Sequence, residues 1–264
     1  MQQQTTSNNN EVSNSMEASQ TPPSGAGGLY VLHLADTTLI LAQRNSEWCA
    51  HGPILEQDIA ITNISLDLLG QARNFYQHAA SLIGENATED SLAYLRTERE
   101  FKNLLITELP NGDWAQTILR QFFFSVYQFE FYSQLLKSGD SQLAAIAEKS
   151  LKEITYHIKW SSEWVIRLGD GTEESYDRMK KAIDFLWMYT GEFFIPASYE
   201  AVDSSTLKEK WFTKIKEVFD EAGLIVPENV FMQQGGKTGN HTEHLGYILA
   251  EMQSLQRTYP GAEW

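Results

Sequence analysis

From residue 29 onward, large apolar side chains recur three and four positions apart, the spacing that lines up one face of an α-helix. The breaks fall where turn chemistry places them. A first helix is predicted over residues 30–49, stopped by Ala50-His51-Gly52-Pro53, where glycine permits a left-handed stop and proline cannot continue. A second covers 54–83 and ends at Gly84 and Asn86. Thr88 caps a helical stretch to about 108. Pro110-Asn111-Gly112-Asp113 then turns the chain into a helix reaching 137, with Asp113 accepting its first free amides. Ser138-Gly139-Asp140 repeats the device before a helix over 141–168, and Gly169-Asp170-Gly171-Thr172 starts another to about 194. Thr206 with Glu209 forms a capping-box pattern ahead of a helix to 222, and a last helix is expected over 242–258. No run alternates with the two-residue period of a strand.

Several of these helices exceed 20 residues and are joined by short polar turns. The chain therefore reads as all-α, a four-helix bundle core with additional C-terminal helices. No fixed repeat period marks it as a solenoid. The helix over 113–137 carries Phe122, Phe123, Phe124, Val126, Tyr127, Phe129, Phe131 and Tyr132 in every direction around its axis, so it is buried all round. Its cover comes from an additional layer, from a partner chain, or from the C-terminal helices alone.

Composition adds the limits. Residues 1–28 are mostly Gln, Asn, Ser, Thr, Gly and Pro, too polar to order themselves, and are expected to form a disordered tail before one domain spanning 29–264. Hydrophobic residues make up 42% of the chain, enough for a sizeable core. A net charge of −15 disfavours nucleic acid and anionic lipid as partners. One cysteine, Cys49, permits neither an internal disulfide nor a Cys-x-x-Cys site. With no run of about 18 apolar residues and no basic-then-apolar leader, a cytoplasmic location is expected.

A long four-helix bundle invites a search for a buried di-metal site, which takes a carboxylate from each of two helices and Glu-x-x-His from each of the other two. On the helix from Ser141, an inward row runs through Leu143, Ala147, Ser150, Ile154, His157, Ser161, Trp164 and Leu168. His157 lies on it, but Ile154 stands where Glu is needed, and Glu153 sits four residues back on the flank. A hydrogen-bonding core histidine is the expectation. The second helix offers a row through Ile61, Ile64, Leu68, Phe75 and Leu82, with Gln71 three residues after Leu68; neither Leu68 nor Gln71 is an iron-ligand type. The aromatic helix has Ile118, Phe122, Ser125, Phe129, Tyr132 and Leu136, with Ser125 where a carboxylate is wanted. The centre thus reads as an apolar core. Glu47, Glu56, Asp58 and Asp67 read as solvated faces or caps, and Cys49 with His51 as structural. Gly235-Gly236-Lys237-Thr238-Gly239-Asn240-His241 has a backbone and lysine able to hold an anion, without Walker spacing. A helix-docking turn is the favoured reading. Glu100-Phe101-Lys102-Asn103 places one cation in an acidic chain.

Several strings resemble a known family. Gln43-Arg44, Ser46-Glu47-Trp48-Cys49 with His51, Leu66-Asp67-Leu68-Leu69-Gly70-Gln71-Ala72-Arg73, Pro110-Asn111-Gly112, Tyr156-His157, Leu168-Gly169-Asp170-Gly171-Thr172 and the ending His241-Thr242-Glu243-His244-Leu245-Gly246 are similar to the C subunits of bacterial phenylacetyl-CoA epoxidases, the ring-1,2-oxygenases. The resemblance covers residues 29–264. It implies a ferritin-like, non-catalytic structural subunit that pairs with a homologous A subunit, which holds a di-iron site. The complex takes oxygen, and electrons from a separate reductase, to epoxidise the ring of phenylacetyl-CoA. The resemblance aligns the A subunit's Glu-x-x-His motifs with Leu68 and Gln71 and with Ile154 and His157. It aligns the lone carboxylate of the third core helix with Ser125, and the first-helix carboxylate with Thr38 or Leu39. Only His157 matches, so these are vestigial positions and no cofactor is expected in this subunit. The resemblance also lays the CoA thioester partly against Glu100, Phe101, Lys102 and Asn103, with Lys102 as phosphate partner. The competing expectation is a self-contained di-iron monooxygenase or oxidase using Glu153 and His157 with a displaced carboxylate such as Asp67. A helical adaptor unconnected with oxygenation is a third.

Overall fold

Three helix starts form as their capping residues dictate. Asp113 accepts the Gln116 amide (3.0 Å), Asp140 accepts those of Gln142 (2.9 Å) and Leu143 (3.1 Å), and Thr172 exchanges bonds with Ser175 in a capping box. The structure, a computed structural model, describes residues 26–84 and 86–262, so the tail expected over 1–28 lies outside the described residues up to 25. In chain order the helices are α1 (Ala26–Ser46), α2 (Leu55–Ile83), α3 (Glu89–Tyr94), α4 (Leu105–Glu108), α5 (Trp114–Leu135), α6 (Ser141–Gly169), α7 (Glu173–Leu186), α8 (Lys208–Glu221), α9 (Glu243–Met252) and α10 (Ser254–Thr258). No strand occurs among the described residues, and no helix there is long and apolar enough to cross a membrane.

The four long helices make the bundle, α1 packed along α2, α5 along α6, and α2 against α6. The C-terminal elements cover the outer side of α5. The Phe123 ring lies 5.7 Å from Trp187, 5.6 Å from Trp211 and 6.0 Å from Phe219, so α8 and the 3-10 turn Trp187–Phe194 that follows α7 complete the shell of the aromatic helix. The Trp211 indole N–H donates to the Phe123 carbonyl at 2.9 Å, which lets an aromatic with a polar tip sit fully inside.

The structure corrects several expectations. Helix α1 starts at Ala26, four residues before the expected start at 30, and Gly28 packs closely against the end of α2; a β-carbon there would stand 3.1 Å from Ile83 Cγ1. The stretch from Thr88 to 108 is not one helix. Between α3 and α4 run a 3-10 turn, Glu98–Glu100, and extended chain. The segment after Leu186 tightens into the 3-10 turn. Thr206 and Glu209 form no capping box; Asp203 caps a 3-10 turn, Ser204–Leu207, and Thr206 donates to the Asp203 carbonyl. The last helix breaks at Gln253, whose side-chain Nε2 donates to the carbonyls of Ala93 (3.2 Å) and Arg96 (3.0 Å). Leu82 and Leu136 end their rows in solvent.

Phe123→Ala is expected to cost about 3–5 kcal/mol, read as a lower urea midpoint with an unchanged slope, because the buried ring packs against Phe122, Trp187, Trp211 and Phe219.

Candidate functional site

The bundle centre is not the apolar core that its periodicity implies. Gln128 on α5 donates through Nε2 to the Gln71 side-chain oxygen on α2 (2.9 Å) and to the Tyr132 hydroxyl (3.1 Å), and Gln71 donates in turn to Glu153 on α6 (2.9 Å). A second chain runs Asn45 to Gln121 (2.7 Å) to Ser125 (2.8 Å). The N–H ends of these buried amides are paired, which removes much of the cost of burying them, while the Gln128 side-chain oxygen has no partner. His157 is fully enclosed, with Nε2 3.0 Å from Asp67 Oδ2. Glu153 and Asp67 are therefore each engaged by a hydrogen-bonding side chain of the facing helix. Leu68 and Ile154 pack as apolar side chains, and Thr38 turns its hydroxyl back onto the Leu34 carbonyl (2.9 Å). His157 Nδ1 has no partner, yet among the described residues no three His, Cys, Asp or Glu side chains converge to hold a metal ion. The donors present do not fit a di-iron centre, which needs carboxylates to balance its charge.

A second polar centre lies between α1 and the C-terminal turn, and four buried carboxylates organise it. Asp36, in the middle of α1, holds Arg96, the Tyr76 hydroxyl (2.6 Å) and the Lys102 amide (2.8 Å). Burial works against the Arg96 charge, but Asp36 and Tyr76 more than offset it and raise its pKa. The guanidinium also lies 4.3 Å from the centre of the Phe101 ring. Glu108 accepts Asn103 Nδ2 (2.8 Å), His241 Nδ1 (2.8 Å) and the Thr242 amide (2.6 Å). Glu192 accepts the amides of Leu105 (2.8 Å) and Gly235 (2.9 Å); burial raises its pKa, opposed by those bonds. Glu200 pairs with Lys237 at 2.7 Å, and Lys237 also donates to the Ile195 carbonyl (2.8 Å). His33 donates from Nδ1 to the Lys102 carbonyl (2.6 Å), and burial drives its pKa down to about 3, so it is neutral.

His241 is the opposite case. Its Nε2 faces the Phe101 carbonyl at 2.9 Å while Nδ1 faces the Glu108 carboxylate. A ring protonated at both nitrogens satisfies both acceptors, so the geometry favours the imidazolium. Burial disfavours that charge, but the bonds to Glu108 and Phe101 and the nearby Glu192 outweigh it and raise its pKa.

A sequence profile described as "Phenylacetic acid catabolic protein" matches residues 13–264. The chain belongs to this family. It is 49% identical over 243 residues to the C subunit of the 1,2-phenylacetyl-CoA epoxidase of Escherichia coli (strain K12), an alignment covering 89% of this chain and 98% of the relative. That relative is by its name one component of a multisubunit epoxidase. The all-helical bundle agrees with the ferritin-like fold of the family.

Against this family background, the predicted contact residues separate. Phe101 and Asn103 are completely buried, Asn103 inside the Glu108 cluster, so neither is open to a ligand from outside. Glu100 is exposed and closes a local cap on Thr97; Lys102 is partly exposed, its ammonium 3.3 Å from the Arg99 carbonyl. Lys237 is buried in its ion pair and unavailable to an anion, so the glycine-rich segment is a docking turn. Asp58 binds the Gly52 amide (2.9 Å), Glu47 pairs with Arg44 (2.8 Å), and exposed Cys49 has His51 against its carbonyl (3.0 Å). Helical periodicity gives no sign of the carboxylate cluster. One signal does exist: Asp36 is the one Asp, Glu, Lys or Arg between residues 29 and 43, and a lone charge in such an apolar stretch needs a partner in the core.

Because its folded pKa is raised, protonated His241 contributes stability that is fully present below its unfolded value of about 6.5 and lost as pH rises through the folded value. His241→Gln is thus expected to cost about 2 kcal/mol at pH 6 and progressively less in alkaline solution, measured by urea unfolding of both proteins across pH.

Proposed function

We propose that this chain is a non-catalytic structural subunit of a phenylacetyl-CoA epoxidase. In this reading it holds no iron of its own, pairs with a homologous A subunit that holds the di-iron centre, and borders the CoA end of the substrate. The observation that carries it is the interior where such a centre would lie, which holds Leu68, Gln71, Ser125 and Ile154 with a chain of paired amides. A carboxamide offers no charge to offset a metal ion, and here its N–H end occupies the neighbouring Glu153. The self-contained oxygenase reading lacks support for that reason.

Pairing is supported by an uncovered apolar stripe. On α2, Leu55, Ile59 and Leu66 share the outer face at 72%, 51% and 59% exposure, three large apolar side chains open to a partner on one side of the helix. For the substrate, Lys102, with Arg99 beside it, is the cation open to a phosphate among the four residues of the 100–103 segment.

Co-expression with the catalytic homologue tests the reading. The two chains should co-purify, and only the complex, supplied with oxygen and its electron-donating reductase, should convert phenylacetyl-CoA. Ile59→Glu with Leu66→Glu should leave the helical circular dichroism intact and abolish co-purification. Turnover by this chain alone would refute the assignment.

A further inference from the structure

The chain between residues 99 and 105 is threaded between two walls. On one side α1 holds it through Asp36 to the Lys102 amide, His33 to the Lys102 carbonyl and Thr37 to the Leu104 amide (3.3 Å). On the other side the 235–242 turn approaches backbone to backbone. A β-carbon on Gly236 would lie 2.1 Å from the Asn103 carbonyl oxygen. One on Gly239, at φ +86°, would lie 2.4 Å from the Arg99 oxygen and 2.8 Å from Lys102 Nζ. His241 closes the same wall, gripping the Phe101 carbonyl and Glu108 together. The Lys102 ammonium thus rests over a turn that only glycine leaves room for.

We propose that the 235–242 turn is a clamp that sets the path of the 99–103 segment, making Gly236, Gly239 and His241 positioning residues for the phosphate-bearing ligand that Lys102 meets. The inference rests on the reading above, that CoA borders this segment. The clamp acts through backbone geometry. It leaves the ligand's own contacts to Lys102 and Arg99, and a displaced Arg99 carbonyl releases the ammonium that it now receives.

The test uses the complex with the catalytic homologue and three variants, Gly239→Ala, His241→Gln and Lys102→Ala, with coenzyme A as binding probe and phenylacetyl-CoA as substrate. The clamp predicts faster amide hydrogen exchange over 99–105 in Gly239→Ala and His241→Gln. It also predicts about tenfold weaker CoA binding and a KM raised by a similar factor with kcat little changed. Lys102→Ala should weaken binding without altering exchange. Unchanged exchange in both clamp variants overturns the clamp. Faster exchange with unaltered CoA affinity, while Lys102→Ala weakens it, overturns the positioning role alone. Full affinity in Lys102→Ala overturns the placement of CoA at this segment, and the role of the turn toward a ligand with it.

Discussion

Extended chain can run through a protein interior only where each amide and carbonyl finds a partner. Between α3 and α4 those partners are side chains. Asp36, Glu108 and Glu192 receive the amides of Lys102, Thr242, Leu105 and Gly235, while His33 and His241 supply protons to the carbonyls of Lys102 and Phe101. The carboxylates are buried, and each is kept by charge-assisted bonds, because a lone buried charge costs several kcal/mol. Through this cluster the first helix, the irregular segment and the last two helices become one unit. The apolar contacts of Leu245, Ile248 and Leu249 with Ile40 and Phe101 complete the docking of the C-terminal segment.

The same accounting explains the bundle centre. Gln71, Gln128 and Tyr132 occupy space between helices that apolar side chains alone would fill differently, and each amide hydrogen bond fixes the facing of α2, α5 and α6. The interior is polar and neutral along this chain, with Glu153 as its one charged end. Such a centre orients helices, and its donors are already committed. On the function proposed above, that is a structural use of positions where the catalytic homologue would keep ligands.

The long helices are legible in the sequence because their signals are local. Asp113, Asp140 and Thr172 cap the helices that follow them, and the apolar rows on α2, α5 and α6 face inward for most of their length. The break after α3 is not legible. Leu92, Ala93, Phe101, Leu104 and Leu105 keep a helix-like apolar density with no proline or glycine among them, while the amides of Lys102 and Leu105 go to carboxylates distant in sequence, Asp36 and Glu192. The interior looks apolar along any single row of side chains. Gln71 and Gln128 find each other only once α2 and α5 face one another across the bundle, a relation 57 residues apart that no single helix records. The candidate contact segment is half legible: its cation stands out in an acidic chain, while the burial of Phe101 and Asn103 depends on the turn that packs over them.

The most direct measurement is iron binding by the purified chain, alone and in complex with its catalytic homologue. The account predicts no saturable iron in the chain alone, and a complex whose iron content survives His157→Ala. Two iron ions bound per isolated chain, lost on His157→Ala or Glu153→Gln, would contradict it.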